Sequence, residues 1–146
     1  MSIDKFNNEG YFDPTAYEAM TNIEKQERMP HAYRPIVYIC SPYAGDVEKN
    51  VNAAREYSRF AVAKGYIPIA PHLLFPQFLN DNNPKERQLG LLFGNTMMNK
   101  CSEVWVFGDR ISTGMEAEIE KAKRKNYCLR YFTENCEEVK NDVHPL

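Results

Sequence analysis

From Ile36 onward the chain alternates short apolar runs with helical stretches, and that alternation restricts the fold more than any other feature. Ile36-Val37-Tyr38-Ile39-Cys40 has the continuous apolar character of a strand buried on both faces. It runs into Ser41-Pro42-Tyr43-Ala44-Gly45-Asp46, where Asp46 is placed to cap a helix reaching about Lys64. Val47, Val51, Ala54, Ser58 and Ala61 fall on one face of that helix, and Gly65 stops it. Tyr66–Ala70 reads as a second strand, at an edge or irregular position because Pro68 cannot donate to a ladder. Pro71–Pro76 then leaves the strand as a loop. A helix over Pro84–Lys100 carries Leu89, Leu92, Phe93 and Met97 on one side. Val104–Gly108 is the third strand, Thr113–Lys125 the next helix and Tyr127–Phe132 the last strand. Alternation of this kind implies right-handed crossovers. The predicted fold is therefore α/β, a flavodoxin- or Rossmann-like parallel sheet with helices on both faces.

Residues 1–35 differ in character and form a predicted N-terminal helical arm and linker ahead of a domain over 36–146. Asp13 reads as an N-cap with Pro14 at the first helical position, and a polar helix extends to Arg28. Met29–Pro35 contains two prolines and reads as a connector. The whole chain has 146 residues, enough to bury a core without a disulfide or a metal.

The function classes narrow by charge and by cysteine and histidine usage. A net charge of −2 argues against a nucleic-acid surface, which shows a basic excess, so the expected partner is a small molecule or another protein. No apolar run approaches the roughly 20 residues of a membrane span, and Met1–Gly10 lacks the apolar core of a signal peptide. Cys40, Cys101, Cys128 and Cys136 show no metal-type spacing and read as reduced thiols of a cytoplasmic protein. The histidines are scattered, so neither a metal nor another cofactor is expected.

In open parallel sheets ligands bind beyond the carboxyl ends of the strands. The segments after the first three strands gather there: Ser41–Asp46, Pro71–Pro76 and Gly108–Gly114. Ser41–Asp46 has a hydroxyl, a glycine and a helix N-terminus behind it, which suits phosphate or ribose oxygens; a plain strand-to-helix turn reads equally well. Thr113 and Glu116 have the spacing of a capping box. Met115, Ile119 and Ala122 form the buried stripe, and Glu118 lies on its flank. A carboxylate beside an apolar face at a ligand-binding edge is a candidate functional acid; the alternative is a boundary carboxylate paired with a lysine. His72, at a strand end, reads either as a ligand-contacting or acid/base group or as a packed core residue. Tyr57, Phe60, Phe75, Phe78 and Phe93 read as core.

Several of these residues resemble a known group. Val37-Tyr38-Ile39 with its Ser41 loop, the run Cys101-Ser102-Glu103-Val104, and Gly114-Met115-Glu116-Ala117-Glu118 before Ala122 are similar to the nucleoside 2-deoxyribosyltransferase superfamily. The Ser-Pro-Tyr-x-Gly-Asp and Ala-Pro-His-Leu-Leu-Phe-Pro runs look closer to its uncharacterised bacterial and phage small-domain relatives. The resemblance covers about residues 36–132. It implies cleavage or transfer of an N-glycosidic bond in a nucleoside or nucleotide, with Glu118 attacking the anomeric carbon and Tyr38 orienting it. It further implies a substrate site built from Ser41, Tyr43, Gly45, Asp46, His72, Asn95, Asp109, Ser112, Gly114 and Met115. Asn95 and Ser112 stand where the superfamily has aspartates, and neither can protonate a leaving base as a carboxylic acid; Asp109 is near enough in sequence to replace one of them. Without that acid, a non-catalytic nucleotide-binding domain is the alternative. Subunits of the resembled enzymes complete each other's sites, so a homo-oligomer is expected. Gly90 and Gly94, four apart, permit a second backbone to approach or pack their helix on its own sheet.

Overall fold

A computed structural model describes residues 33–140. The Asp13 cap, the helix expected to Arg28 and the chain beyond residue 140 lie outside the described residues. The strands are β1 (Ile36–Cys40), β2 (Ile67–Ile69), β3 (Glu103–Phe107), β4 (Cys128–Phe132) and β5 (Glu138–Val139). The helices are α1 (Val47–Ala63), α2 (Pro71–Leu74), α3 (Pro84–Met98) and α4 (Thr113–Arg124), with a 3₁₀ turn at Phe75–Gln77.

The sheet has the order β2-β1-β3-β4-β5, parallel except for β5. It is an α/β sheet with the strand reversal between β1 and β3, the place where open sheets of this order bind ligands. Alternation along the strands sorts the core into two faces. Tyr38, Cys40, Val104, Val106 and Tyr131 pack with Met98 of α3 and with Met115, Ile119 and Ala122 of α4. Val37, Ile39, Trp105, Phe107 and Phe132 pack with Tyr57 and Ala61 of α1. Rings dominate this second face. Tyr57 stacks on Phe107 at 4.3 Å, and Phe107 stacks on Phe132 at 4.9 Å. Arg130 lies over Trp105 and forks onto Glu138 at 2.8 and 2.9 Å, fastening β5 to β4.

Several sequence expectations shift. Pro71–Pro76 is helical, because Pro71 occupies a first helical position where its missing N–H costs nothing. β3 begins at Glu103, one residue early, since that carboxylate accepts from Trp105 Nε1 and from the Tyr66 hydroxyl, each at 3.0 Å. The buried stripe of α1 is Ala54, Tyr57 and Ala61; Val47 is exposed, and Tyr57 takes the inward position by stacking on Phe107. On α3 the buried positions are Gly94 and Met98, whereas Leu89 and Leu92 face outward. Phe78 is exposed too; it meets Phe75 edge-on, and Phe75 meets Phe93, in a cluster apart from the sheet core. β5 had no counterpart in the sequence pattern, because two residues show no periodicity.

Candidate active site at the carboxyl edge of the sheet

Tyr38 sits mid-strand in β1, between Ile69 of β2 and Val104 of β3. Strand alternation turns its side chain toward α3 and α4. Its hydroxyl donates to the carboxylate of Glu118, on the second turn of α4. Glu118 bonds this tyrosine, not a lysine; Lys121, one turn further on, reaches the Asn95 carbonyl at 2.6 Å instead. Burial pushes the Glu118 carboxyl up to about 7, against the opposing pull of the Tyr38 hydrogen bond. The same burial, reinforced by the Glu118 charge, holds the Tyr38 phenol and the Cys40 thiol well above their ordinary values. Cys40 is therefore an inert core thiol.

Gly94 of α3 makes room for this pair. A Cβ there would lie 3.4 Å from the Tyr38 hydroxyl and 3.9 Å from the ring of Pro71. A Cβ at Gly90 would lie 3.8 Å from Leu79, a loop residue. Gly94 thus packs its helix on its own sheet, the second of the two readings that the spacing left open, whereas Gly90 does not touch the sheet.

Ser41 follows β1 directly. It is buried, and its Oγ has no hydrogen-bond partner among the described residues. Its backbone carbonyl accepts from the imidazole of His72, whose pKa burial lowers. The His72 ring stacks on Tyr43 at 5.0 Å and 27°. Asn50 fastens the loop by donating to the carbonyls of Tyr43 and Ala44, each at 3.0 Å. Gly45 adopts φ 97°, where a side chain would be strained. Asp46 caps α1, accepting from the Lys49 N–H at 3.2 Å.

The remaining candidates have other duties. Ser112, not Thr113, is the N-cap of α4: its extended backbone starts the helix one residue early, and its hydroxyl accepts from the Met115 N–H at 3.3 Å. The expected capping box is accordingly not the cap used, and Glu116 is an exposed first-turn acid that suits the helix dipole. Met115 packs its side chain in the core. Gly114 has open space around it. Asn95 is exposed. The charge of Asp109 acts on Tyr57, on the α1 face of the sheet, and is not among the causes that shift Glu118. Gly94, Pro71 and Asn50 are the site-forming residues that sequence reasoning missed as such. Their only signals were a glycine inside a helix, a proline at a strand end and an asparagine one turn past a capping aspartate.

The sequence pattern of a family described as a domain of unknown function, DUF7768, matches residues 35–132. The chain belongs to the DUF7768 family. The matched residues hold the four parallel strands and the four helices found among the described residues, so the Tyr38–Glu118 pair and the Ser41–His72 bond lie inside the DUF7768 domain. No curated protein matches the sequence. Among solved structures, a 2-deoxyribosyltransferase from the psychrotolerant bacterium Bacillus psychrosaccharolyticus is similar to this DUF7768 protein. The two are 15% identical, the match covers 74% of this chain and 79% of that one, and the TM-score is 0.55. That likeness shows a shared fold.

Proposed function

We propose that this domain cleaves or transfers the N-glycosidic bond of a nucleoside or nucleotide, with Glu118 as nucleophile and Tyr38 as its orienting partner. The observation that carries the reading is the hydrogen bond between Tyr38 and the buried carboxyl of Glu118, at the ligand-binding edge of a fold shared with a deoxyribosyltransferase. A carboxylate there can trap or stabilise the oxocarbenium-like transition state of glycosidic cleavage. A pKa of about 7 leaves a working fraction ionised at neutral pH. The buried, unpartnered Ser41 Oγ and the Ser41–Asp46 loop supply polar contacts for sugar or phosphate oxygens. Reduced thiols fit a cytoplasmic setting. Among the described residues no helix is long and apolar enough to cross a membrane.

The test is base release followed by chromatography, with ribo-, deoxyribo- and phosphorylated substrates. Glu118→Ala is expected to abolish turnover while leaving affinity within about tenfold, ~1.4 kcal/mol, because the carboxylate acts on the transition state. Turnover by the alanine variant at the wild-type rate removes Glu118 from the mechanism.

A second reading, a non-catalytic domain that binds a nucleotide-like ligand, draws on Asn95 and Ser112. Asn95 is exposed and Ser112 is committed to capping, so neither offers a leaving base a proton. Tight nucleotide binding without base release from any substrate selects this reading.

A further inference from the structure

A neutral base needs a proton as it leaves a sugar, and among the described residues no acid acts on Glu118 other than the Tyr38 phenol. We propose that the substrates are N-glycosides of a base with a fixed positive charge, a pyridinium or an N7-alkylated purinium, which departs without being protonated. This inference rests on the reading of Glu118 as nucleophile and names the leaving group.

Each group that could protonate a base is engaged elsewhere. The Tyr38 phenol donates to Glu118, and burial makes it a weaker acid than an ordinary tyrosine. The Lys121 ammonium, one turn past Glu118, reaches the Asn95 carbonyl at 2.6 Å. The Ser112 hydroxyl caps α4. His72 donates to the Ser41 carbonyl, and burial keeps it neutral. Asp109 acts on Tyr57, across the sheet, and Glu116 is exposed.

The electrostatics point the same way. Glu118 is buried with a hydrogen bond from Tyr38, and among the described residues no cation offsets its charge. A cationic ring on the substrate supplies that charge and holds the carboxyl ionised for attack. The attraction is stronger in a site removed from water than in solution. The step balances without a proton. A Glu118 oxygen bonds to the anomeric carbon as the carbon–nitrogen bond breaks, and the electron pair of that bond neutralises the ring. An anion and a cation thus become a neutral ester and a neutral base. Water then bonds to the anomeric carbon, the electron pair returns to the carboxylate, and the water proton goes to solvent. A neutral nucleoside would instead pass the negative charge to its departing base.

The experiment measures base release by chromatography from two cationic substrates, nicotinamide riboside and 7-methylguanosine, and two neutral ones, guanosine and 2′-deoxyguanosine. Glu118→Ala, or Glu118→Gln if circular dichroism shows the alanine variant unfolded, supplies the blank that removes spontaneous loss. The expected result is Glu118-dependent release from a cationic substrate at least roughly 10²-fold faster than from either neutral one, the scale of a missing general acid. A smaller ratio, or faster release from a neutral nucleoside, overturns the cationic substrate class and leaves the Glu118 reading in place. Release that never exceeds the blank, from any of the four, overturns the Glu118 reading and this inference with it.

Discussion

Glu118 carries a pH signature that does not depend on any substrate. Folding raises its pKa from 4.5 to about 7, so between those values the native state holds a proton that the unfolded chain has released. The favourable contribution is complete below pH 4.5 and is lost as pH rises through 7. At 1.36 kcal/mol per unit the loss is on the order of 3 kcal/mol. Glu118→Gln, which cannot ionise, is expected to match the wild type near pH 4.5 and to exceed it in urea midpoint at pH 8. Equal midpoints at both pH values refute the burial of this carboxyl. Tyr38→Phe acts in the opposite sense to the glutamine. It deletes the hydrogen bond that pulls the Glu118 pKa down, so the acidic limb of the pH–rate profile moves to higher pH. Carbon-13 NMR of the Glu118 carboxyl reads the same shift without turnover. The sequence singled out Glu118 by its place beside the apolar stripe, and the resemblance paired it with Tyr38, but the sense of these shifts was not legible because it depends on burial and on the hydrogen bond. The partnership needs the β1–β3 pairing, which brings together residues 80 positions apart.

The helices show which elements a single sequence specifies and which need the rest of the molecule. α1 and the body of α4 were legible because each has a capping side chain, a buried stripe and a clear stop. The cap of α4 was misplaced by one residue because Ser112 and Thr113 both have a suitable hydroxyl, and only backbone conformation separates them. Ser112→Ala is accordingly expected to cost about 1 kcal/mol in chemical denaturation, and Thr113→Ala a few tenths. A larger loss at Thr113 contradicts the observed cap. α3 was legible as a helix and misread as to its face. Its leucines outnumber its small residues, so apolar periodicity pointed outward, whereas the chain's own packing uses Gly94 and Met98.

For the whole molecule, the outward leucines matter most. Leu89, Leu91 and Leu92 on α3, with Leu74 and Phe78 nearby in sequence, leave large apolar side chains 42–61% exposed. Exposed large apolar side chains are the material of interaction sites, and we propose a second copy of the chain as their partner. Sedimentation at high micromolar concentration is expected to show a dimer or larger species, which Leu91→Lys with Leu92→Lys disperses. A wild type that stays monomeric sinks the proposal. The sheet margins behave differently. β2 is three residues long, and the Ile67 N–H points inward to the Pro35 carbonyl. By strand alternation the outward donor of β2 belongs to its middle residue, and that residue is Pro68, which has none. At the opposite margin β5 is two residues long. A growing fibril would therefore find one side of this sheet without a donor to dock on and the other too short to template a strand, a built-in resistance to edge-to-edge polymerisation. Replacing Pro68 with valine supplies the missing N–H. Native stability should change little, while light scattering on prolonged warm incubation should rise ahead of the wild type.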